Sequence, residues 1–148
     1  MKKNKLLRSI FVFLLAVAML STSAFASMDA NQYILRTTVS IGCQGNGVIE
    51  VDCTVTATDI YPDVGIKYIK IYQEGNSTPV FTRYYSSSGY SYLMGHNTGS
   101  HTAVVTYQGT IGVRYYAKVT FYAGSLSGSG GSHTMNSAYA TATQYKYP

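Results

Sequence analysis

Polar and apolar residues alternate along much of this chain, and the alternation is clearest in residues 112–123. One set of positions there is apolar or aromatic: Val113, Tyr115, Ala117, Val119, Phe121 and Ala123. The intervening set is mostly polar or charged: Arg114, Tyr116, Lys118, Thr120 and Tyr122. A period of two predicts a β-strand with one buried and one solvated face.

Six further segments show similar alternation between turn-forming residues. The candidate strands are residues 33–43, 48–58, 65–73, 78–85, 100–108, 112–123 and 137–144. Residues 59–63 (DIYPD) interrupt the pattern, and residues 124–137 (GSLSGSGGSHTMNS) have the composition of a flexible connection. Helical periodicity is not evident, so the pattern predicts an all-β fold, an antiparallel β-sandwich of about seven strands.

The stretch "RYYAKVTFYAG", residues 114–124, resembles the penultimate strand of immunoglobulin-like and fibronectin type III-like domains. The resemblance implies an immunoglobulin-like sandwich in which a tyrosine, here Tyr115 or Tyr116, locks a corner. The layout that begins with "VDCTVTATDIYPDVGIKYIKIYQEGN" is also similar to small secreted uncharacterised proteins of Gram-positive, Clostridia-type bacteria. The chain departs from true immunoglobulin domains because it has no Trp and both cysteines fall in the first hairpin.

The first 26 residues have the pattern of a secretory signal peptide. Basic residues open the chain, "IFVFLLAVAML" follows, and "AFA" at residues 24–26 supplies a cleavage site before Ser27. The apolar run is shorter than the about 20 residues that a membrane-spanning helix needs. We therefore expect a secreted, extracellular protein with a single domain at residues 27–148 and no membrane span in the mature chain.

Cleavage changes the charge of the protein. Four of the 11 Lys and Arg residues lie in the signal segment, which leaves seven against six acidic residues, a net charge of +1. The sequence pI of about 9.2 is thus mainly due to the segment that is removed. A nucleic-acid partner is not expected.

The two cysteines, Cys43 and Cys53, flank a Gly-Asn-Gly turn signal. In an extracellular protein a Cys43–Cys53 disulfide is the leading interpretation. A tight hairpin would place Cys43 opposite Ile49, however, and Cys53 a further four residues away, about 13 Å along the strand. A disulfide needs Cα atoms within about 7 Å, so the bridge requires a wider loop, a bulge or a change of sheet. Otherwise the cysteines are free thiols.

Tyrosine dominates the candidate chemistry, with 15 in the chain. Alternation places two sets of Tyr and basic side chains on the polar faces of two strands that immunoglobulin-like domains hold side by side. The predicted binding residues are Tyr68, Lys70, Tyr72, Arg114, Tyr116, Lys118 and Tyr122. Such a face can stack on sugars, accept an anionic polymer or dock a protein, although Tyr and Lys also form ordinary cross-strand pairs. A second group, Tyr84, Tyr85, Tyr90 and Tyr92, is predicted to lie in a loop.

Signals for catalysis and metal binding are weak. His96, His101 and His133 lie in or beside Gly/Ser-rich segments and are expected to be exposed, and no metal site or cofactor is predicted. The chain has neither a Gly-x-Ser-x-Gly elbow nor a His-Glu-x-x-His motif. Asp59 and Asp63 fit turn formation better than calcium binding. An enzyme is therefore not expected.

The predicted function is that of a secreted, non-enzymatic binding or interaction module, with cell-wall glycan, an anionic wall polymer or a surface protein as its partner. The alternative is a secreted toxin or bacteriocin-like effector that acts on neighbouring cells. A third hypothesis is a metal-dependent hydrolase that uses the histidines.

Overall fold

The computed structural model describes residues 32–145. The predicted signal peptide, residues 1–26, and its cleavage site lie outside the described residues. Strands make up 70% of the described residues, which contain no α-helix. The strands are β1 (Ile34–Cys43), β2 (Val48–Gln73), β3 (Pro79–Tyr84), β4 (Met94–Gln108), β5 (Arg114–Gly124) and β6 (Gly130–Thr141), with one 3₁₀ turn at Ser91–Leu93. All pairings are antiparallel, so the all-β prediction is confirmed.

The strand β2 is 26 residues long and organises the sheet. Its first half pairs with β1 on one edge and β4 on the other, and its second half pairs with β5 and, on the other edge, with β3 and the start of β4. The register with β4 shifts between Thr56 and Tyr61, beside Pro62, which has no N–H to donate. Residues 59–63 therefore bend one strand, and the predicted break there is wrong. The described strands number six because two candidates form one.

The bend curls the six-stranded sheet into a half-barrel. Tyr107, opposite Ile49, and Phe81, opposite Ile71, have ring centroids 5.7 Å apart, so the two ends of β2 face each other. The core lies between the two halves. Its largest fully buried side chains are Phe121, Ile49, Ile66, Ile69, Ile71, Leu93, Val51, Val55, Val64, Val105, Val119 and Cys53.

The alternation predicted for β5 is confirmed for residues 114–119, whereas residues 120–124 are all buried, including Thr120 and Tyr122 of the predicted wet face. Tyr115, Ala117, Val119 and Phe121 are buried, while Arg114 and Lys118 on the opposite face are exposed. The Tyr115 hydroxyl accepts a hydrogen bond from the Thr110 N–H at 2.9 Å, five residues upstream. Of the two candidate corner tyrosines, Tyr115 is therefore the one that binds the preceding connection.

The Gly-Asn-Gly segment forms the tight hairpin between β1 and β2. Gly45, Asn46 and Gly47 all have positive φ angles (93°, 51° and 77°), a conformation that glycine and asparagine adopt most readily. This turn also contacts the end of the described chain, because Asn46 N donates to Gln144 O and Gly47 N to Thr143 O, both at 2.8 Å. The strands β1 and β6 also contact each other, since Thr37 Oγ1 donates to Met135 Sδ at 2.9 Å.

The Gly/Ser-rich segment 124–137 is the largest departure from the sequence prediction. Only residues 125–129 lie between strands, and β6 begins at Gly130 and pairs along β5. Backbone pairing and the packing of Met135 against the core outweigh the low strand propensity of glycine and serine. Similarly, β4 begins at Met94, six residues before the predicted start.

Candidate binding face

The predicted binding residues lie mainly on the outer face of the β2–β5 pair. The register places Tyr72 opposite Tyr116 and Lys70 opposite Lys118. Their sequence neighbours Ile69, Ile71, Ala117 and Val119 point into the core, so the alternation turns these tyrosines and lysines outward. The predicted adjacency of the two strands is confirmed. We call this surface, with the Tyr84 and Tyr139 side chains described below, the Tyr/Lys face.

One end of the Tyr/Lys face is an aromatic row across three strands. The rings of Tyr72 and Tyr116 stack with centroids 5.1 Å apart and an interplanar angle of 11°. Tyr139 on β6 adds a third ring at 5.3 Å from Tyr116. The Arg114 guanidinium lies 4.8 Å from the centroid of Tyr139 and forms an ion pair of 2.6 Å with Glu74. The row thus ends in a cation that a carboxylate already neutralises.

The middle of the Tyr/Lys face is a row of polar side chains with two lysines at its centre. From β3 to β6 its members are Thr82, Lys70, Lys118 and Asn136. Directly opposed like charges destabilise an antiparallel pair. Neither lysine belongs to the ion pairs found among the described residues. The Lys70 ammonium instead lies 5.4 Å from the ring centroid of Tyr68. Two cations therefore face solvent together without a carboxylate partner within the described part of the chain.

A second aromatic pair follows the lysine row. Tyr68 on β2 is opposite Tyr84 on β3, with ring centroids 5.7 Å apart. On the other side of Tyr68 the row continues with Thr120 and Thr134, whose hydroxyl oxygens lie 2.8 Å apart. Tyr84 ends β3 and is 45% exposed, which agrees with the candidate strand at residues 78–85 and not with its assignment to a loop of tyrosines.

Tyr122 requires a correction. It lies on the same side of β5 as Tyr116, but only 7% of it is exposed. Its hydroxyl donates to Ser125 O at 2.6 Å, and a Cβ at Gly130 would collide with its Oη. The turn between β5 and β6 covers this ring, because β6 begins earlier than the sequence pattern indicated. Tyr122 is therefore a packing residue rather than part of the exposed face.

Tyr139 was missed by the sequence analysis. It is 49% exposed and lies opposite Tyr116. Its place in the row depends on a register shift between Tyr116 and Lys118, where the Ser137 hydroxyl oxygen accepts a hydrogen bond from Ala117 N at 2.8 Å. Such a bulge cannot be read from alternation alone.

The predicted Cys43–Cys53 disulfide is absent from the structure, and both cysteines are free. Cys43 is opposite Ile49 and Cys53 is opposite Val39, the arrangement expected of a tight hairpin. Burial raises the pKa of Cys53 to about 12, with a smaller contribution from Asp52. Burial also raises the pKa of Cys43, but hydrogen bonds from Thr143 and from Gly45 N outweigh it and hold that pKa below the ordinary value.

The three histidines do not form a common site. His96 and His101 lie on β4 and His133 on β6, rather than in loops. His96 Nδ1 is 2.9 Å from Asp63 Oδ1, and His101 Nε2 is 2.8 Å from Tyr92 O. Across residues 32–145, no group of three His, Cys, Asp or Glu residues has the proximity needed to hold a metal ion.

Comparisons with protein-family models, curated proteins and solved structures give no match. Among the described residues, no helix has the length and apolar character needed to cross a bilayer. The interpretation of the Tyr/Lys face therefore rests on its own geometry.

Proposed function

We propose that this chain is a secreted, non-enzymatic binding module whose Tyr/Lys face binds an anionic glycan polymer of the bacterial cell wall. The observation that supports this most strongly is the pair Lys70–Lys118, held directly opposite each other between two rows of tyrosines. A bound anion would remove the mutual repulsion of the two ammonium groups.

The tyrosines supply the second half of the argument. Tyr offers a large, rigid contact area at low entropic cost, and a ring face presents a flat surface to a sugar. Tyr72 and Tyr68 are four residues apart on one strand, which corresponds to about 13 Å. A ligand that contacts both aromatic rows and the lysines between them must be extended, which favours a polymer over a single sugar.

The cellular setting of the proposal comes from the sequence. The signal-peptide pattern and the resemblance to small secreted proteins of Gram-positive bacteria favour an extracellular protein that meets cell-wall polymers. The immunoglobulin-like sandwich stays a prediction, which the hydrogen bond between Thr110 N and the Tyr115 hydroxyl supports.

Sedimentation with purified Gram-positive cell wall tests the proposal. We expect the wild-type protein to co-sediment and the K70Q/K118Q variant to remain in solution. The charge-matched control is R36Q/K67Q, which removes two positive charges from exposed residues outside the lysine row: Arg36 lies on β1, and the Lys67 ammonium lies 5.6 Å from the ring centroid of the buried Tyr122. Binding through the lysines should also weaken as salt rises.

A variant of the aromatic row completes the test. Y72A/Y116A should reduce retention while leaving the fold intact, as judged by circular dichroism. Retention of K70Q/K118Q equal to that of R36Q/K67Q would contradict the proposal, as would absence of wild-type binding at low salt.

A further inference from the structure

A second group of aromatic residues lies on the inner side of the sheet. We call it the Arg83 cluster: Phe81 and Arg83 on β3, Tyr90 and Tyr92 near the 3₁₀ turn, and Tyr107 on β4. The strands β3 and β4 both pair with the same edge of β2 but not with each other within residues 32–145. The cluster therefore lies at the seam between β3 and β4, where side-chain rings rather than backbone pairing join the two strands.

The rings of the Arg83 cluster form a continuous row of contacts that runs from Tyr107 through Phe81 and Tyr90 to Tyr92. Centroids are 5.7 Å apart for Phe81 and Tyr107, 6.4 Å for Phe81 and Tyr90, and 5.9 Å for Tyr90 and Tyr92. Tyr92 is 46% exposed, so the group reaches from the core to solvent. A surface of this kind offers ring faces to a ligand at the seam.

Arg83 is the one cation of the cluster. Its guanidinium carbon lies 4.4 Å from the ring centroid of Phe81 and 5.2 Å from that of Tyr90. Stacking uses the flat face of a guanidinium and leaves its in-plane N–H groups free to donate. One hydrogen bond is present, from Arg83 Nη1 to Thr82 O at 2.7 Å. Among the described residues, no carboxylate forms an ion pair with Arg83.

These observations indicate a preference for a planar anion. A guanidinium held between rings loses little conformational entropy when it binds, and its fork of N–H groups matches the two oxygens of a carboxylate. The ring of Tyr90, which contacts the guanidinium, and the more exposed ring of Tyr92 beyond it can contact the body of the same ligand. We propose that the Arg83 cluster is a second binding site, specific for a ring that carries a carboxylate.

This site is separate from the Tyr/Lys face. Arg83 lies opposite the buried Ile69 and its neighbour Tyr84 lies opposite Tyr68, so the two side chains leave β3 on opposite sides of the sheet. The K70Q/K118Q variant should therefore keep the carboxylate site, and failure of one proposal leaves the other intact.

Titration of the protein with sodium glucuronate, sodium benzoate and glucose tests the inference, with binding followed by calorimetry or by NMR shifts. We expect saturable binding of one or both carboxylates and none of glucose. Binding of glucuronate alone would identify a sugar acid as the ligand class, and binding of benzoate would extend it to aromatic acids.

Two substitutions of Arg83 then test the role of its N–H groups. R83M should weaken carboxylate binding by about 10- to 100-fold, the loss expected when a hydrogen bond to a charged group is removed. R83K keeps the charge but not the planar fork, and we expect an intermediate loss of about threefold or more. The matched control is R36M, which replaces an exposed arginine on β1.

An arginine that only protects the edge of the sheet gives a different result. In that case neither glucuronate nor benzoate would bind the wild-type protein, or R83M and R36M would bind equally well. Either outcome would overturn the inference. Thermal unfolding establishes whether R83M and R83K are folded. If R83M is unstable, comparison of R83K with the wild-type protein still tests the inference, because R83K keeps the charge and loses only the planar fork.

Discussion

The inner and outer faces of the β2–β5 pair share one backbone ladder but differ in what their side chains achieve. On the inner face Ile69, Ile71 and Val119 are fully buried and pack into the core. On the outer face, Lys70 lies opposite Lys118 in the same register. Burial of apolar area explains the inner face, whereas folding stability would favour opposite charges at the outer pair.

This difference separates residues that specify the fold from residues whose presence needs another explanation. The tyrosine rows on the outer face contribute stacking, which is an ordinary cross-strand interaction. The lysine pair between them has one cation–π contact, from Lys70 to Tyr68, but it places like charges opposite each other, so it is the part of the face that most strongly indicates a ligand. The following predictions test how sharply the two faces differ.

The largest difference should appear in thiol labelling of the first hairpin. Cys43 is partly exposed where the first hairpin meets Thr143, and Cys53 is buried in the inner face of β2. Alkylation requires the thiolate, so the lowered pKa of Cys43 shifts its labelling to lower pH, while the pKa of Cys53, raised to about 12, keeps it protonated in mild alkali. We expect Cys43 to react at least about 10³-fold faster at neutral pH, because Cys53 reacts only when the fold opens.

Intact mass after timed alkylation, without reduction, measures this difference. One adduct that C43S abolishes would confirm it, and two adducts at equal rates would contradict the buried position of Cys53. If neither thiol reacted until a reductant was added, the result would instead show a Cys43–Cys53 disulfide. That bridge would require a different hairpin.

Removing an aromatic ring should matter far more on the inner face of β5 than on the outer. Phe121 is fully buried, and Phe121→Ala should lower the free energy of unfolding by about 3–5 kcal/mol. Tyr116→Ala removes a stacked outer ring and should cost about 1 kcal/mol. Urea denaturation of the two variants measures both values, and equal losses would show that the outer row belongs to the structural core.

Adjacent tyrosines on β5 allow a finer comparison. Tyr115→Phe removes the hydroxyl that accepts from Thr110 N in a part-buried position, and we expect a loss of about 1–2 kcal/mol. Tyr116→Phe, on the outer face, should change stability by less than about 0.5 kcal/mol. Denaturant midpoints measure the difference. A larger effect at Tyr116 would exchange the roles assigned to the two residues.

The inner face was largely predictable because burial imposes a period of two. The alternation of Val113, Tyr115, Ala117 and Val119 is enough to assign the inward side of β5 without knowing its partners. The adjacency of β2 and β5 was predicted through the immunoglobulin-like resemblance, and the structure contains that pairing.

The lengths of the strands and the positions of Tyr122 and Tyr139 could not be predicted, because they depend on long-range pairing that alternation does not encode. Pro62 bends β2 instead of ending it, and β6 begins within a Gly/Ser-rich segment because β5 offers a partner there. The path of β6 explains the two errors at the candidate site. The early start of β6 covers Tyr122, and the bulge near Ser137 brings Tyr139 into the row. Of the Arg83 cluster, Tyr90 and Tyr92 were predicted as members of a second tyrosine group, but their contacts with Phe81, Arg83 and Tyr107 depend on how residues 81–92 fold against β4.

The smallest expected change in stability gives the clearest distinction between folding and binding. Lys118→Glu replaces a repulsive pair with an attractive one opposite Lys70, so we expect stability to rise by about 0.2–1 kcal/mol. The same substitution should abolish co-sedimentation with cell wall, because the face then repels an anionic polymer. Arg36→Glu on β1 is the control, since it changes the net charge equally and lies opposite Thr56 rather than a lysine. Urea denaturation and wall sedimentation on the same preparations measure the two effects. A more stable variant that no longer binds would show that the lysine row is maintained at the expense of folding stability, whereas a variant that binds normally would return Lys70 and Lys118 to the solvated surface of an ordinary sheet.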